Sequence, residues 1–451
     1  MKKVYGFSEA KSLLSRQGVS IDYDAPPAMK KRLIEMFGTE DPEQAVKQIV
    51  EKVRKWGDAA LFEYTSKIDR VQLKSLEVSR QQVKEALQQV DSRLMTALKL
   101  AADQIYTFHA TQNEGLLTGV ACMGTGTIMR PLERVGLYAP GGSASYPSTV
   151  LMTAIPARIA GVRQVFLATP PGADGKVPVV TLVAADIARV DRIFCVGGAQ
   201  AIAAMAFGTR TVPRVDKICG PGNIFVMLAK KLVYGIVDID GLQGPSEVVI
   251  IADETADPAA CAAEMLAQAE HDPMASAILI TDSQKLADKV SEEVEKQLTS
   301  LERKEIATEA LANGGIIAIV DSIDEAIELS NLYAPEHLCL DIEVAETYID
   351  KVTNAGCIFI GDEPTVVMGD YVAGPSHALP TGGTARFSSP LNITDFIKYT
   401  NVVSVDKASL RELGPTAITI ARAEGLEAHA RAVEKRLERG QIIEEIKEND
   451  R

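Results

Sequence analysis

The amino-acid sequence predicts an α/β protein: two successive open parallel sheets, each covered by helices, set between helical segments at the two ends. Three observations carry this reading. From Arg134, short β-branched runs alternate with helical stretches across glycine turns, as in RQVFLATPP, DRIFCVGG, AQAIAAMAFGT and VDKICGPGN. This is the rhythm of parallel strands joined by crossover helices. A second run of the same kind starts at Glu247, with EVVIIAD, SAILITD, GGIIAIV, HLCLDIE and CIFIGD separated by helical stretches. Residues 1–110 instead place apolar side chains every three or four positions, as in DPEQAVKQIVEKVRKWGDAALFEYTSKI, which is helical spacing.

Taken in order, the expected segments are a helical N-terminal region over 1–110, a first α/β domain over 111–240, a second over 241–385 and a C-terminal helical segment over 386–451. Trp56, the single tryptophan, falls on the apolar stripe of the first segment and reads as core. After Pro364 comes VVMGDYVAGPSHALPTGGTARFSSP, a Gly/Pro/Ser-rich stretch too long for a mere connector, and loops of that length are usually functional. From Glu424 the pattern is a charged amphipathic helix whose last residues, IIEEIKENDR, read as solvated and frayed.

Composition narrows the function classes. With 451 residues, 46% of them hydrophobic, the chain has ample apolar material for a large core. A net charge of −14 repels phosphate backbones, so nucleic acid is not an expected partner. The start, MKKVYGFSEAKSLL, lacks the apolar stretch of a signal peptide, and no run approaches the roughly 18 apolar residues of a membrane span. The six cysteines (Cys122, Cys195, Cys219, Cys261, Cys339, Cys357) form no CxxC and sit mostly in apolar runs, which suits buried, reduced thiols in a cytoplasmic protein.

The chain holds five histidines, His109, His271, His337, His377 and His429, and the last four lie beside a carboxylate or amide or within a glycine-rich loop. In QAEHD, Gln268 and His271 are three apart and share one face of an expected helix. An imidazole and a carboxamide oxygen together bind divalent metals, zinc above all. In APEHL, Glu336 and His337 stand side by side before a strand, an arrangement suited to dividing proton transfer; the alternative is a carboxylate that only ties down a surface turn. Asp370 and His377, in the long loop, offer further oxygen and nitrogen ligands or substrate contacts. Glu424 precedes His429 by five residues, about 140° on an ideal helix, so the two share a site only if Glu424 lies at or before the helix start. The turns YAPGGSASYPST, VGGAQAIAA and ICGPGNIFV put glycines between strand and helix, where backbone N–H groups approach a pyrophosphate. None completes GxGxxG, and plain tight turns remain the alternative. The residues alone thus reach an α/β enzyme with a His-rich metal site.

The segments ERVGLYAPGGSASYPSTVLM, VGGAQAIAAMAFGT, VPRVDKICGPGN, GPSEVVIIAD, QAEHD, YAPEHL, GDY, HALPTGGTARFSS and EGLEAH, in this order from about residue 20 to 435, resemble the histidinol dehydrogenase family. The resemblance implies oxidation of L-histidinol through L-histidinaldehyde to L-histidine with two NAD⁺ and one zinc, the last step of histidine biosynthesis. It also implies two incomplete Rossmann-like domains with helical terminal segments, assembled as an intertwined homodimer with a shared active site. It assigns zinc to Gln268, His271, Asp370 and His429, the last from the other subunit. It makes Glu336 and His337 the acid–base pair: His337 takes the hydroxyl proton and Glu336 activates the water that hydrates the aldehyde. It places Ser246, His377 and Glu424 against substrate, bordered by His337 and the zinc ligands, and Tyr138, Gln200 and Asn223 against NAD⁺.

Three places depart from the family's usual residues. Ser376-His377 stands for Asn-His, Lys398-Tyr399 for Lys-Arg, and Leu242-Gln243 for Pro-Ala. They leave the zinc and acid–base positions intact and keep one alternative open: the same machinery acting on another primary alcohol, such as a sulfopropanediol. A sulfonate calls for Arg or Lys where histidinol calls for an acid, so Glu424 favours histidinol. A zinc hydrolase using Glu336 would need no nicotinamide, against the retained Tyr138, Gln200 and Asn223.

Overall fold

The computed structural model describes residues 1–16, 26–117, 125–141 and 145–449. Cys122, the middle of the YAPGGSASYPST turn (142–144) and the side chains from residue 440 onward, whose solvation was expected, lie outside what is described. The strands are β1 (Lys2–Tyr5), β2 (Thr125–Pro131), β3 (Arg134–Tyr138), β4 (Gln164–Thr169), β5 (Arg192–Cys195), β6 (Lys217–Cys219), β7 (Asp238–Ile239), β8 (Glu247–Ala252), β9 (Ser276–Thr281), β10 (Gly315–Ile319), β11 (His337–Asp341), β12 (Cys357–Ile360) and β13 (Ile397–Val403). The chain divides into two compact units, Met1–Asn113 with Pro131–Phe396, and Glu114–Arg130 with Ile397–Arg451.

The first unit holds both expected sheets. One has the order β5-β4-β3-β6-β7 and the other β1-β10-β9-β8-β11-β12. Every neighbouring pair in both is parallel. In each sheet the chain builds outward in one direction for three strands and then returns to the other side of the first. That leaves a crevice between β3 and β6, and another between β8 and β11.

Strands buried on both faces must be apolar throughout, and all six residues of β8, EVVIIA, are buried. The pleat sends Val248, Ile250 and Ala252 into one core with Met265 and Leu279, and Val249 and Ile251 into another with Leu14 and Leu338. Each aliphatic side chain so buried contributes about 1.5–3 kcal/mol. In the first sheet, Val165 and Leu167 face one core and Phe166 and Ala168 the other.

The N-terminal region serves both sheets. Helix Pro42–Trp56, capped by Asp41 accepting from the Glu43 N–H at 2.8 Å, packs on helices Gly198–Phe207 and Ile224–Val233 beside the first sheet. Its apolar stripe of Val46, Ile49, Val50 and Val53 is buried there. Trp56 is not: it is 59% exposed, because it is the last helical residue before Gly57 and its ring lies beside Lys55. Nor is the start helical. Lys2–Tyr5 form an edge strand beside β10, a state that only a partner some 300 residues away confers.

In the second unit β2 pairs with β13, and helices Lys407–Ala423 and Glu427–Asn449 pack together. Gly414 makes their close approach possible, since a Cβ there would stand 3.1 Å from Leu437. The helix expected from Glu424 begins at Glu427, after a break where Gly425 takes φ +74°, and another helix, Lys407–Ala423, precedes it.

Candidate active site

The amino ends of the second sheet gather the acid–base pair and three of the four expected zinc ligands. His337 opens β11 and Glu247 opens its neighbour β8, and the β8 backbone grips both members of the pair. The Glu247 N–H donates to Glu336 Oε2 at 2.8 Å, and His337 Nδ1 lies 3.0 Å from the Glu247 carbonyl oxygen. A carbonyl only accepts, so Nδ1 carries the proton, and in the neutral ring Nε2 is left with the lone pair. That nitrogen faces Asp370, 3.6 Å from its Oδ1, while Nδ1 also stands 3.6 Å from Glu336 Oε2.

Burial sets the electrostatics. It pushes the Glu336 carboxyl up, to about 7, against the lowering pull of His337. It opposes charge on His337 too, but the Glu336 and Asp370 carboxylates outweigh it and raise that ring to about 9. Asp370 is half-buried, and the His337, His377 and His271 rings overcome its desolvation and hold it below the usual carboxylate range.

Gln268 lies in the last turn of helix Pro258–Ala269, 3% exposed, with its Nε2 lacking a partner. His271 is not on that helix, as the spacing suggested, but two residues beyond its end, where its N–H donates to the Gln268 carbonyl at 3.3 Å. Pro273 follows and turns the chain toward β9. Asp370 belongs to a short helix, Val366–Tyr371, rather than to open loop. An orphaned buried carboxamide, an imidazole and an ionised carboxylate are a donor set that fits zinc. Among the described residues no group of three or more His, Cys, Asp or Glu side chains stands ready to hold a metal within one chain.

His377 is half-buried with both nitrogens engaged: Nδ1 donates to the Asp370 carbonyl at 2.9 Å, leaving Nε2 to accept from Thr149 Oγ1 at 3.1 Å. Burial holds its pKa below the ordinary value. Ser246 is half-buried immediately before β8. His109 lies apart, buried on helix Ser92–Leu117 and paired with Gln112 at 2.8 Å.

The carboxyl ends of the first sheet gather Tyr138, Gln200 and Asn223. Tyr138 ends β3, buried, with its oxygen accepting from the Gly198 N–H at 2.9 Å; burial pushes the phenol up to about 12. Gln200, in the first turn of helix Gly198–Phe207, is 1% exposed, and both its amide atoms lack partners. Asn223 caps helix Ile224–Val233, accepting from the N–H groups of Phe225 and Val226. Gly220, in the turn before it, has φ +117°, and a Cβ there would stand 2.1 Å from the Tyr138 carbonyl oxygen, so no other residue fits. Tyr138 and Asn223 therefore flank the crevice between β3 and β6, the place where open α/β sheets take their ligands, and Gln200 adds two unmet hydrogen-bonding atoms.

Glu424 and His429 belong to the second unit, and both are exposed. Glu424 follows the last turn of helix Lys407–Ala423, and His429 lies in the first turn of the next helix, so Glu424 stands before that helix start.

The family model described as histidinol dehydrogenase matches residues 35–437. A histidinol dehydrogenase of Dehalococcoides mccartyi strain CBDB1 is 56% identical over 441 residues, spanning 97% of this chain and 100% of the relative. The chain belongs to the histidinol dehydrogenase family. It is an oxidoreductase family, and a Moorella thermoacetica member is 51% identical over 87% of this chain and 94% of its own. The crystal structure of histidinol dehydrogenase from Elizabethkingia anophelis matches with a TM-score of 0.88 at 38% identity, covering 98% of this chain and 99% of that one.

Against the family pattern, the three local departures fall in different settings. Ser376 is buried and spends its hydroxyl on nearby backbone, accepting from the Ala378 N–H and donating to the Met152 carbonyl. Tyr399 is exposed on β13. Gln243 accepts from Lys230 at 2.8 Å.

Several residues that shape the site went unseen in the sequence. Glu264 stands one turn before Gln268, so both lie on one helix face, and its Oε2 accepts from the Val366 N–H at 3.2 Å, anchoring the helix that carries Asp370. Burial raises its pKa. A lone acid in PAACAAEMLAQA, four positions from a candidate ligand, was the available signal. The Glu247 side chain, buried and with its pKa raised by that burial, pairs with Arg16 at 2.8 Å and accepts from the Gly382 N–H at 3.2 Å. Arg16 in turn lies 3.5 Å over the Tyr333 ring. Nothing local in the sequence marks either.

Proposed function

We propose that the chain oxidises L-histidinol through L-histidinaldehyde to L-histidine, the last step of histidine biosynthesis, consuming one water and reducing two NAD⁺. The observation that carries this, beyond family membership, is the buried Glu336–His337 pair locked by the β8 backbone, with His337 Nε2 facing Asp370 beside the Gln268–His271 cluster. Once a bound metal draws off the Asp370 carboxylate that favours the protonated ring, His337 Nε2 would take the hydroxyl proton in the first oxidation. Glu336, whose proton affinity burial has brought close to neutral pH, takes a proton from the water that hydrates the aldehyde.

Zinc would be held by Gln268, His271, Asp370 and His429 of a second copy of the chain, and when bound would supply positive charge to polarise the substrate oxygen and to hold the Asp370 carboxylate. Glu424 supplies the acid that suits a cationic amine or imidazole. Tyr138, Gln200 and Asn223 receive NAD⁺ at the crevice of the first sheet.

A homodimer with a shared site accounts for His429 and Glu424, and exposed apolar side chains on the second unit, Val403, Leu413 and Ile420, suit a surface that a second copy covers. Among the described residues no helix is long and apolar enough to cross a membrane. The five described cysteines are free, which suits the cytoplasm.

The deciding experiment is NADH formed per L-histidinol consumed, with purified protein before and after chelation. Two NADH per substrate, lost on chelation and restored by zinc, is the expected outcome. No turnover by the zinc-loaded protein would move the substrate to another alcohol.

A further inference from the structure

Lys230 is buried to 1% exposure on helix Ile224–Val233. Its ammonium donates to the Gly220 carbonyl at 3.0 Å and to Gln243 Oε1 at 2.8 Å, and forms an ion pair with Asp240. Asp240 is as deeply buried, and its other oxygen accepts from the Gly220 N–H at 2.6 Å. Gly220 is therefore held through both its N–H and its C=O by one ion pair, in the conformation that brings it against Tyr138. Asn223 follows three residues later.

The other side of the same clamp is the crossing between the two sheets. Asp240 and Gln243 lie in the segment that joins β7 to β8. Next along it, the Gly244 N–H donates to Thr381 Oγ1 at 2.6 Å. Then come Ser246 and Glu247, whose backbone orients Glu336 and His337. A buried ion pair adds little net stability, since desolvation offsets its attraction; its best-attested use is to fix one arrangement over others.

We propose that Lys230, Asp240 and Gln243 are positioning residues that hold the Gly220–Asn223 turn in register with the Ser246–Glu247 segment, so that the dinucleotide meets the acid–base pair correctly placed. This rests on the functional reading above. None of the three touches the reacting atoms. Gln243 is the adjustable member, because it is uncharged and stands where the family pattern has alanine.

The test compares zinc-loaded wild type with Gln243→Ala, which strips Lys230 of one acceptor, and Gln243→Glu, which keeps an oxygen at the same reach. For the alanine variant the KM for NAD⁺ should rise roughly ten-fold, the size of one buried hydrogen bond lost at a binding site, with the KM for L-histidinol and the zinc content unchanged. Hydrogen exchange should speed up in the peptides covering Gly220–Asn223 and Gly244–Glu247 together. The glutamate variant should restore both. An alanine variant that matches wild type in KM for NAD⁺ and in exchange, or that loses only kcat in proportion to folded protein, overturns the clamp. A wild type that reduces no NAD⁺ with L-histidinol overturns the functional reading, and the clamp's role with it.

Discussion

The two sheets share a strand order about their crevices and are used at opposite ends. The first presents its candidate residues after its strands, at Tyr138, Gln200 and Asn223, two of them in the opening turns of helices. The second presents Glu336, His337 and Ser246 before its strands, and Gln268 in the closing turn of a helix. Helix N-termini carry partial positive charge and helix C-termini partial negative charge. On the proposed assignment, one sheet would offer its helix starts to an anionic dinucleotide, and the other a helix end, with a carboxylate, to a cation. Under that proposal, two copies of one topology would serve ligands of opposite sign by the choice of strand end.

The largest test of this division is His271→Ala. Zinc and activity should vanish together, with activity falling well beyond the roughly hundred-fold that losing an outer-shell partner costs. Mixed with a His429→Ala subunit, it should regain one working site per heterodimer. Full activity with normal metal content would break the assignment of the second sheet to the metal.

Glu336→Gln comes next. The aldehyde step should slow by about a hundred-fold or more, the usual worth of a general base, with the alcohol step far less affected. Single-turnover measurements started from L-histidinaldehyde and from L-histidinol separate the two, and equal slowing would remove the proposed role of Glu336.

A smaller effect sharpens the account of the helix end. Glu264→Leu should weaken zinc binding by about ten- to a hundred-fold, read directly as a Kd, because the Val366 N–H loses its acceptor and the Asp370 helix its anchor. Glu264→Gln keeps an accepting oxygen and should recover most of the affinity. A glutamine variant as weak as the leucine one would show that charge, not anchoring, matters there.

The smallest belongs to the first sheet. Tyr138→Phe leaves the Gly198 N–H without its partner, and a net loss of about 1 kcal/mol corresponds to a roughly five-fold higher KM for NAD⁺. An altered KM for L-histidinol instead would blur the separation between the sheets.

Both sheets were legible in the sequence because strands buried on two faces are forced into continuous β-branched runs, as EVVIIA shows. The four-residue edge strand KKVY was not, since it is too short to show a period and is defined by its neighbour β10. Gln268 and His271 were found by spacing, but the helix end at Ala269 puts His271 off the helix face that the spacing implied. The Glu264 anchor was hidden because its partner lies 102 residues away, and the Glu247 grip because it is made by backbone atoms, which carry no residue signature. Trp56 obeyed the apolar stripe yet came out exposed, because a stripe does not say where the helix stops being covered.

The edge strand also orders the events of synthesis. The first sheet is complete in the chain once Ile239 has been added, whereas Lys2–Tyr5 find their partners only at Ile316–Ile319. At roughly 5–20 residues per second, Lys2–Tyr5 wait about 15–60 s after their own synthesis for their place. The first sheet is therefore complete during translation while a tethered strand that belongs to the second still waits, and the second sheet closes last.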